Sequence, residues 1–467
     1  MKKYITTIII VFVTLNICSI FAIAPLANTL DTGAISNDVL IDAKDELLPP
    51  PILAAESAVV IDRESGEILY SKRPYEIRYP ASTTKVLTAL LTIEHGDLSD
   101  IVTVGGEVNI IPWDSSKAGL YPSEEISVEH LLYGLMINSG NDASNTLAVY
   151  IARKVSGQEL PMQEALEYFN GMMNTRAREA GAENSNFTNA HGYHDPHHYS
   201  TAYDLAMITR AAMDHDLFCQ VVITPSVETV YWQNGEPRYW ANRNRLLLEN
   251  NKEYYQYATG TKTGYTGSAG NCLVSSASKD GLDLISVVLK SDPENQWSDS
   301  RSLLEYGFWN FTRTCLIEHG SIAETLPVEQ DSGNPLGSLP LMVAGETTEK
   351  IINKNDVHKI ERTIIWNQTV LADSQGSDGL PRLKAPVKKN QMVGELRYIL
   401  DGEVIAKSPL IAVREIQAIG FVEKFQSDDT NRFDYLVLIL VILCGYILVK
   451  VILARIKRKK RRYYYFR

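Results

Sequence analysis

Apolar and polar positions change texture several times along the chain. Residues 5–23 are an apolar run behind Met1-Lys2-Lys3, the layout of a secretory signal. Its end lies either at Ala22-Ile23-Ala24, with Pro25 hindering cleavage, or near Ala27; an uncleaved amino-terminal anchor is the alternative. We take 1–27 as signal and 28–54 as a loose, acidic linker. Ser57-Ala58-Val59-Val60-Ile61-Asp62 and Glu67-Ile68-Leu69-Tyr70, around the turn Arg63-Glu64-Ser65-Gly66, predict a β-hairpin. Residues 86–94 are apolar around most of a helical circumference and predict a buried helix, its start fixed near Ser82 by Pro80. A further helix runs from the cap Ser127 to about Ile137, where Gly140 ends it and another begins. Helices are also predicted over 165–180 and from Ser200-Thr201 onward. Residues 272–276 and 284–289, joined at Lys279-Asp280-Gly281, read as strands of an antiparallel sheet whose first strand carries Lys262 and Thr263.

From about Ser321 the texture becomes short strands with Gly, Pro and Asn turns, a small all-β module over 319–418 following a first domain over 55–318. That module reads as a spacer from the membrane or as a docking surface. Residues 435–449 carry no charge; Lys450, three more apolar residues and a cluster of Lys and Arg follow. This predicts a transmembrane helix over 435–453 and a basic cytoplasmic tail over 454–467, with a surface-lying amphipathic helix as the rival. Positive charge stays on the cytoplasmic side, so everything between signal and helix lies outside the cell membrane.

The 467 residues suffice for two or three domains, and 45% hydrophobic with 22% charged residues is ordinary globular composition. The formal net charge of -11 averages opposite regions: nine of the 45 Lys and Arg lie in 435–467 and two in the signal, leaving 34 against 56 acids in the exported part. A surface so acidic does not bind nucleic acid by charge. Of the five cysteines, Cys18 and Cys444 lie in apolar segments; Cys219, Cys272 and Cys315 are too few for a disulfide framework, and the fold rests on its core.

Candidate chemistry centres on Ser82-Thr83-Thr84-Lys85, where a hydroxyl and an amine three residues apart on a helix come within hydrogen-bond reach. The spacing alone decides nothing. Ser276-Ala277-Ser278-Lys279 has it too, yet runs straight into the turn at Asp280-Gly281. Between helices, Ser139-Gly140-Asn141 presents a hydroxyl and a carboxamide, and Gly264 after Lys262-Thr263 lets another backbone or a ligand approach closely. Four histidines lie within 191–198, but Gly192 and Pro196 disfavour a helix and the His-Glu-x-x-His pattern is absent. We read them as a loop beside a cleft, with no metal ligand.

Taken in order, Pro80-Ala81-Ser82-Thr83-Thr84-Lys85, Asn138-Ser139-Gly140-Asn141-Asp142-Ala143 and Lys262-Thr263-Gly264-Tyr265-Thr266 resemble the motifs of the penicillin-binding proteins and serine β-lactamases. They look most like the low-molecular-mass D-alanyl-D-alanine carboxypeptidases. His198-Tyr199-Ser200-Thr201-Ala202-Tyr203-Asp204 and the segment around Ala385-Pro386-Val387-Lys388-Lys389 are similar to that family too, so the resemblance covers about 55–418. It implies an α/β (α+β) fold, an antiparallel sheet covered by helices on both faces with a helical lobe, followed by a small all-β domain. It implies a serine peptidase acting on peptidoglycan stem peptides ending in D-Ala-D-Ala, inhibited by β-lactams, without cofactor or metal. Catalysis would fall to Ser82, Lys85 and Ser139, and substrate binding to Asn141, Lys262, Thr263, Gly264 and Tyr265, with the Ser82 and Tyr265 backbone N–H groups as oxyanion hole. The alternatives are a β-lactamase of the same fold, against which Gly140 stands where class A enzymes carry Asp, and a non-catalytic wall-binding protein. Many members attach by an amphipathic carboxy-terminal helix, whereas the sequence here reads as spanning.

Overall fold

The computed structural model describes residues 47–231, 237–375, 379–418 and 432–463; the signal expected over 1–27, and the linker up to 46, lie outside them. Among the described residues, five strands form one antiparallel sheet: β1 (Ser57–Asp62), β2 (Ile68–Lys72), β3 (Ala258–Thr266), β4 (Gly270–Lys279) and β5 (Leu282–Ser291), in the order β2-β1-β5-β4-β3. The expected hairpins both form, β1 to β2 and β4 to β5.

Side chains alternate between the two faces of each strand, and the sequence makes both apolar. Val59, Ile61, Val274, Ile285 and Val287 enter one core; Ala58, Val60, Leu273, Leu284 and Val288 enter a second. The second is closed by Leu303 and Leu304 of helix α7, for which the helices are numbered α1 (Lys85–His95), α2 (Val128–Met136), α3 (Asn141–Ser156), α4 (Met162–Glu179), α5 (Ala202–Met213), α6 (Asp216–Ile223) and α7 (Asn295–Asn310). The first holds α1, buried from Lys85 through Thr92, with Leu131 and Leu135 of α2, Leu147 and Ile151 of α3, Phe169 of α4 and Leu205 of α5. A strand of period two thus supplies two cores, and the sheet is covered on both faces with the helical lobe to one side, as anticipated. Ser127 and Thr201 cap α2 and α5 by accepting the His130 and Asp204 N–H groups.

Over 311–418 the described residues are mostly strand. Phe311–Ile317 pairs with Thr348–Asn353, and seven further strands form a second sheet around Leu326, Val328, Leu339, Leu341, Leu383, Val393 and Leu410. Arg313 ties this part to the first sheet, reaching Asp62 Oδ1 and Glu64 Oε2, each at 2.7 Å. Asp62 is fully buried, so removing its partner leaves an uncompensated carboxylate. Arg313→Ala is expected to lower stability by about 2–3 kcal/mol, seen as a lower unfolding midpoint. An unchanged midpoint would show that the pair adds nothing.

Near the carboxy terminus the chain is a single helix, α8 (Arg432–Tyr463). Its side chains are described over 439–455, a stretch that rises about 26 Å against roughly 30 Å of hydrocarbon. That stretch includes Lys450 and Arg455. Among the described residues no helix is long and apolar enough to cross a membrane. The segment expected to span at 435–453 is helical, and a crossing is not shown among the described residues.

Candidate active site

Ser82 does not sit in the α-helix that the sequence suggested. It occupies a short 3-10 turn, Ala81–Thr84, and the α-helix proper begins at Lys85. Pro80 sets the turn up: its carbonyl accepts the Thr83 hydroxyl at 2.7 Å and the Thr83 N–H at 3.3 Å. Ala81, at φ +50°, completes a tight entry that leaves Ser82 half-buried and facing a cleft.

Lys85 is fully buried, and its Nζ reaches three acceptors from three parts of the chain. Ser82 Oγ lies at 3.0 Å, Asn141 Oδ1 at 2.7 Å and the His191 carbonyl at 2.7 Å. Burial pushes Lys85 well below the usual lysine range, the Lys262 and Arg243 charges push the same way, and Asp142 opposes them.

The second stretch is held by a strap of chain that passes in front of it. Asp142, at the start of α3, accepts the N–H groups of Ala118 at 2.7 Å, Gly119 at 2.8 Å and Leu120 at 3.0 Å. Asn141 N–H donates to the Ser116 carbonyl at 2.8 Å. A Cβ on Gly140 would stand 2.8 Å from the Ala118 backbone nitrogen, so the strap leaves room for glycine alone. Ser139 lies in the left-handed region at φ +62°, nearly buried, with its residue lining the cleft.

The histidine loop packs beside the cleft, but through its backbone. Gly192, at φ +80°, lies so close to the Ser82 turn that a Cβ would stand 1.8 Å from the Ala81 carbonyl oxygen. His198 Nδ1 accepts the Thr188 N–H at 3.1 Å, so its Nε2–H donates to Thr84 Oγ1 at 2.8 Å. Burial foremost, with the Lys85 charge beside it, pushes His198 down to about 4, and His191 also lies well below the usual range through burial. Among the described residues no group of three or more His, Cys, Asp or Glu is placed to hold a metal. Gly192→Ala is expected to lower stability by about 3 kcal/mol, because the turn has to move. Unfolding midpoints check it; an alanine variant as stable as the wild type would refute the close approach.

The third stretch lies on β3, the edge of the sheet. Lys262 is buried, donates to the Thr263 carbonyl at 2.9 Å, and is lowered to about 7, by burial foremost and then by the Arg243 charge. A Cβ on Gly264 would lie 3.0 Å from both Pro80 O and Ser82 N, which brings strand and turn together. Ser82, Ser139, Asn141, Thr263, Gly264 and Tyr265 all line one cleft of about 720 Å³, with Lys85 and Lys262 buried behind it. All the residues singled out in the sequence are thus brought to one place.

Sequence reasoning missed Asn242, Arg243, the strap at 114–116 and the His191 carbonyl, which belong to the same site. Asn242 and Asn244 frame Arg243 by backbone bonds, Asn242 Nδ2 to the Val222 and Thr224 carbonyls and Asn244 Oδ1 from the Leu246 N–H. The run Asn242-Arg243-Asn244 is the signal that was available, a polar triplet ordered by its own amides.

A serine touching a lysine whose pKa is depressed foremost by burial, at the mouth of such a cleft beside a two-faced antiparallel sheet, makes this a penicillin-binding-type serine enzyme fold with an added β domain. The D-alanyl-D-alanine carboxypeptidase model matches residues 45–293, and the penicillin-binding protein 5 C-terminal domain model matches 311–418. The chain is 31% identical to D-alanyl-D-alanine carboxypeptidase DacF of Bacillus subtilis, over 79% of this chain and 87% of that one. It is 30% identical to DacC of Escherichia coli, over 81% and 88% respectively. Penicillin binding protein 5 from Haemophilus influenzae superimposes with a TM-score of 0.57 at 29% identity, covering 79% of this chain and all of that one. The chain belongs to the D-alanyl-D-alanine carboxypeptidase family, and is a serine peptidase of that activity.

Proposed function

We propose that Ser82 is the nucleophile, attacking the carbonyl between the two terminal D-alanines of a peptidoglycan stem peptide, with Lys85 as its base. The observation that carries this is the set of contacts around Lys85 Nζ. A neutral amine has two N–H donors and one lone pair. The shorter contacts, to Asn141 and the His191 carbonyl, take the donors, so the lone pair faces the Ser82 hydroxyl at 3.0 Å.

The Oγ–H proton passes to Nζ as the Oγ–C bond forms. When the C–N bond breaks, the leaving D-alanine amine takes a proton back through Lys85 and Ser139. Water then cleaves the acyl ester, returning Ser82. Lys262, Thr263 and Arg243 bind the terminal carboxylate, and Asn141 holds the substrate amide. Gly264 and Tyr265 lie along the substrate, and the Ser82 and Tyr265 N–H groups stabilise the oxyanion, each donor worth about 10²–10³ in rate.

The same reading takes 55–318 as the catalytic domain, 319–418 as a β-rich spacer, and α8 as a single-pass anchor that leaves both outside the membrane. Its support is a sequence with Lys450 as the sole charge over 435–453, and the exposure of apolar side chains from Ile439 to Leu453 that only a lipid or protein surface would cover.

The test is intact mass of the chain after incubation with benzylpenicillin, with D-alanine release from an acyl-D-Ala-D-Ala peptide followed in parallel. A stable adduct with release is expected. An adduct that vanishes as hydrolysed drug accumulates would instead indicate a β-lactamase, and neither adduct nor release would leave a wall-binding protein.

A further inference from the structure

The second Ser-x-x-Lys of the sequence leads to a different site. Residues three apart on a strand point to opposite faces, so Ser276 and Lys279 of β4 cannot meet. Ser276 is buried and accepts the Thr259 and Thr261 hydroxyls. Lys279 ends the strand in a separate groove of about 370 Å³, with its Nζ 5.5 Å from the Tyr257 ring centre and 5.0 Å from that of Trp309. Along β4 this groove is about 26 Å from Asn271, which lines the catalytic cleft, so it is not an extension of that cleft.

Its chemistry is specific. Tyr254 and Trp309 keep 36% and 37% of their surface exposed, so part of each ring remains open to a ligand although Lys279 lies over Trp309. The charges are already paired within the protein: Lys279 with Asp280 at 2.9 Å and Arg301 with Glu305 at 2.8 Å. Balanced charge disfavours an anion or a cation as the ligand, yet it offers both donors and acceptors. The cavity has the size of a small-ligand site. Apolar ring faces beside neutralised polar groups fit a molecule with C–H faces and hydroxyl edges, which is a sugar.

We propose that this groove binds the glycan strand of the wall polymer, a chain of N-acetylated amino sugars, and so holds the enzyme on the polymer whose peptides it trims. The proposal rests on the stem-peptide reading above. Two weak attachments to one polymer raise the local concentration of the second. Stacking on Trp309 and Tyr254 supplies the affinity, and Lys279 and the Arg301–Glu305 pair supply the hydrogen bonds.

The experiment titrates the full, detergent-solubilised chain with tetra-N-acetylchitotetraose by calorimetry, and co-sediments it with wall glycan stripped of peptides. The wild type is expected to bind both. Trp309→Ala and Tyr254→Ser are each expected to weaken binding about tenfold while hydrolysis of a small soluble acyl-D-Ala-D-Ala peptide stays unchanged. Should Trp309→Ala unfold, the exposed Tyr254 variant carries the test alone. No chitotetraose binding by the wild type, or equal binding by the folded variants, overturns the proposal. Loss of small-peptide hydrolysis in the wild type would strike the catalytic reading instead, so the two failures are distinct.

Discussion

Ser82→Ala is expected to lower D-alanine release by about 10⁵-fold or more and to abolish the penicillin adduct, with the protein still folded. The fold survives because the change removes one oxygen from a half-buried position. Thr83 keeps its bonds to Pro80, and Lys85 keeps Asn141 and the His191 carbonyl. A thermal midpoint within a degree or two of wild type, beside complete loss of the adduct, separates lost chemistry from lost structure. Retained acylation would move the nucleophile elsewhere and refute the assignment.

The second large effect concerns the two lysines, and its sign is opposite for each. In its proposed role Lys85 acts as a base only when neutral, so kcat/KM is expected to climb as pH rises through its depressed pKa. In its proposed role Lys262 binds a carboxylate only when charged, so kcat/KM is expected to fall as pH rises through about 7. The free enzyme is therefore expected to give a bell. Lys85→Arg installs a guanidinium that does not deprotonate, costing about 10²–10⁴ in rate at every pH. Lys262→Arg keeps the charge and the repulsion that depresses Lys85, so the acid limb stays while the alkaline limb moves out of range. A Lys262→Arg profile with the wild-type alkaline limb would remove Lys262 from the carboxylate site.

Much of this site was legible because its chemistry is written in side chains at short spacing. Ser82 and Lys85 are three residues apart, Ser139 and Asn141 two, Lys262 and Thr263 adjacent, and each group lies on an element whose pattern of apolar residues marks it. The sheet was legible too, since the short apolar runs in 57–62, 272–276 and 284–289 become β1, β4 and β5, buried on both faces. What escaped is carried by backbone or by distance. The His191 carbonyl holds Lys85 from 106 residues away, and any residue type has a carbonyl. The strap at 118–120 binds Asp142 through amide N–H groups, which leave no mark in the sequence. The Ser82 turn was read as α-helix because periodicity cannot distinguish one 3-10 turn from the α-helix that continues it.

The three acceptors around Lys85 have a consequence for the life history of the chain. Ser82 and Lys85 are neighbours in any state, but Asn141, the His191 loop, Lys262 and Arg243 arrive only when the distant segments have docked. In an unfolded or partly threaded chain the lysine is hydrated and titrates near 10.4, an ammonium that accepts no proton. The serine is then as unreactive as any other, and a β-lactam or a peptide finds nothing to acylate. Activity thus begins when those segments dock around Lys85 and ends when they part. The molecule has the latency of a zymogen with no propeptide to remove, and acylation by penicillin counts only those copies that have completed their fold.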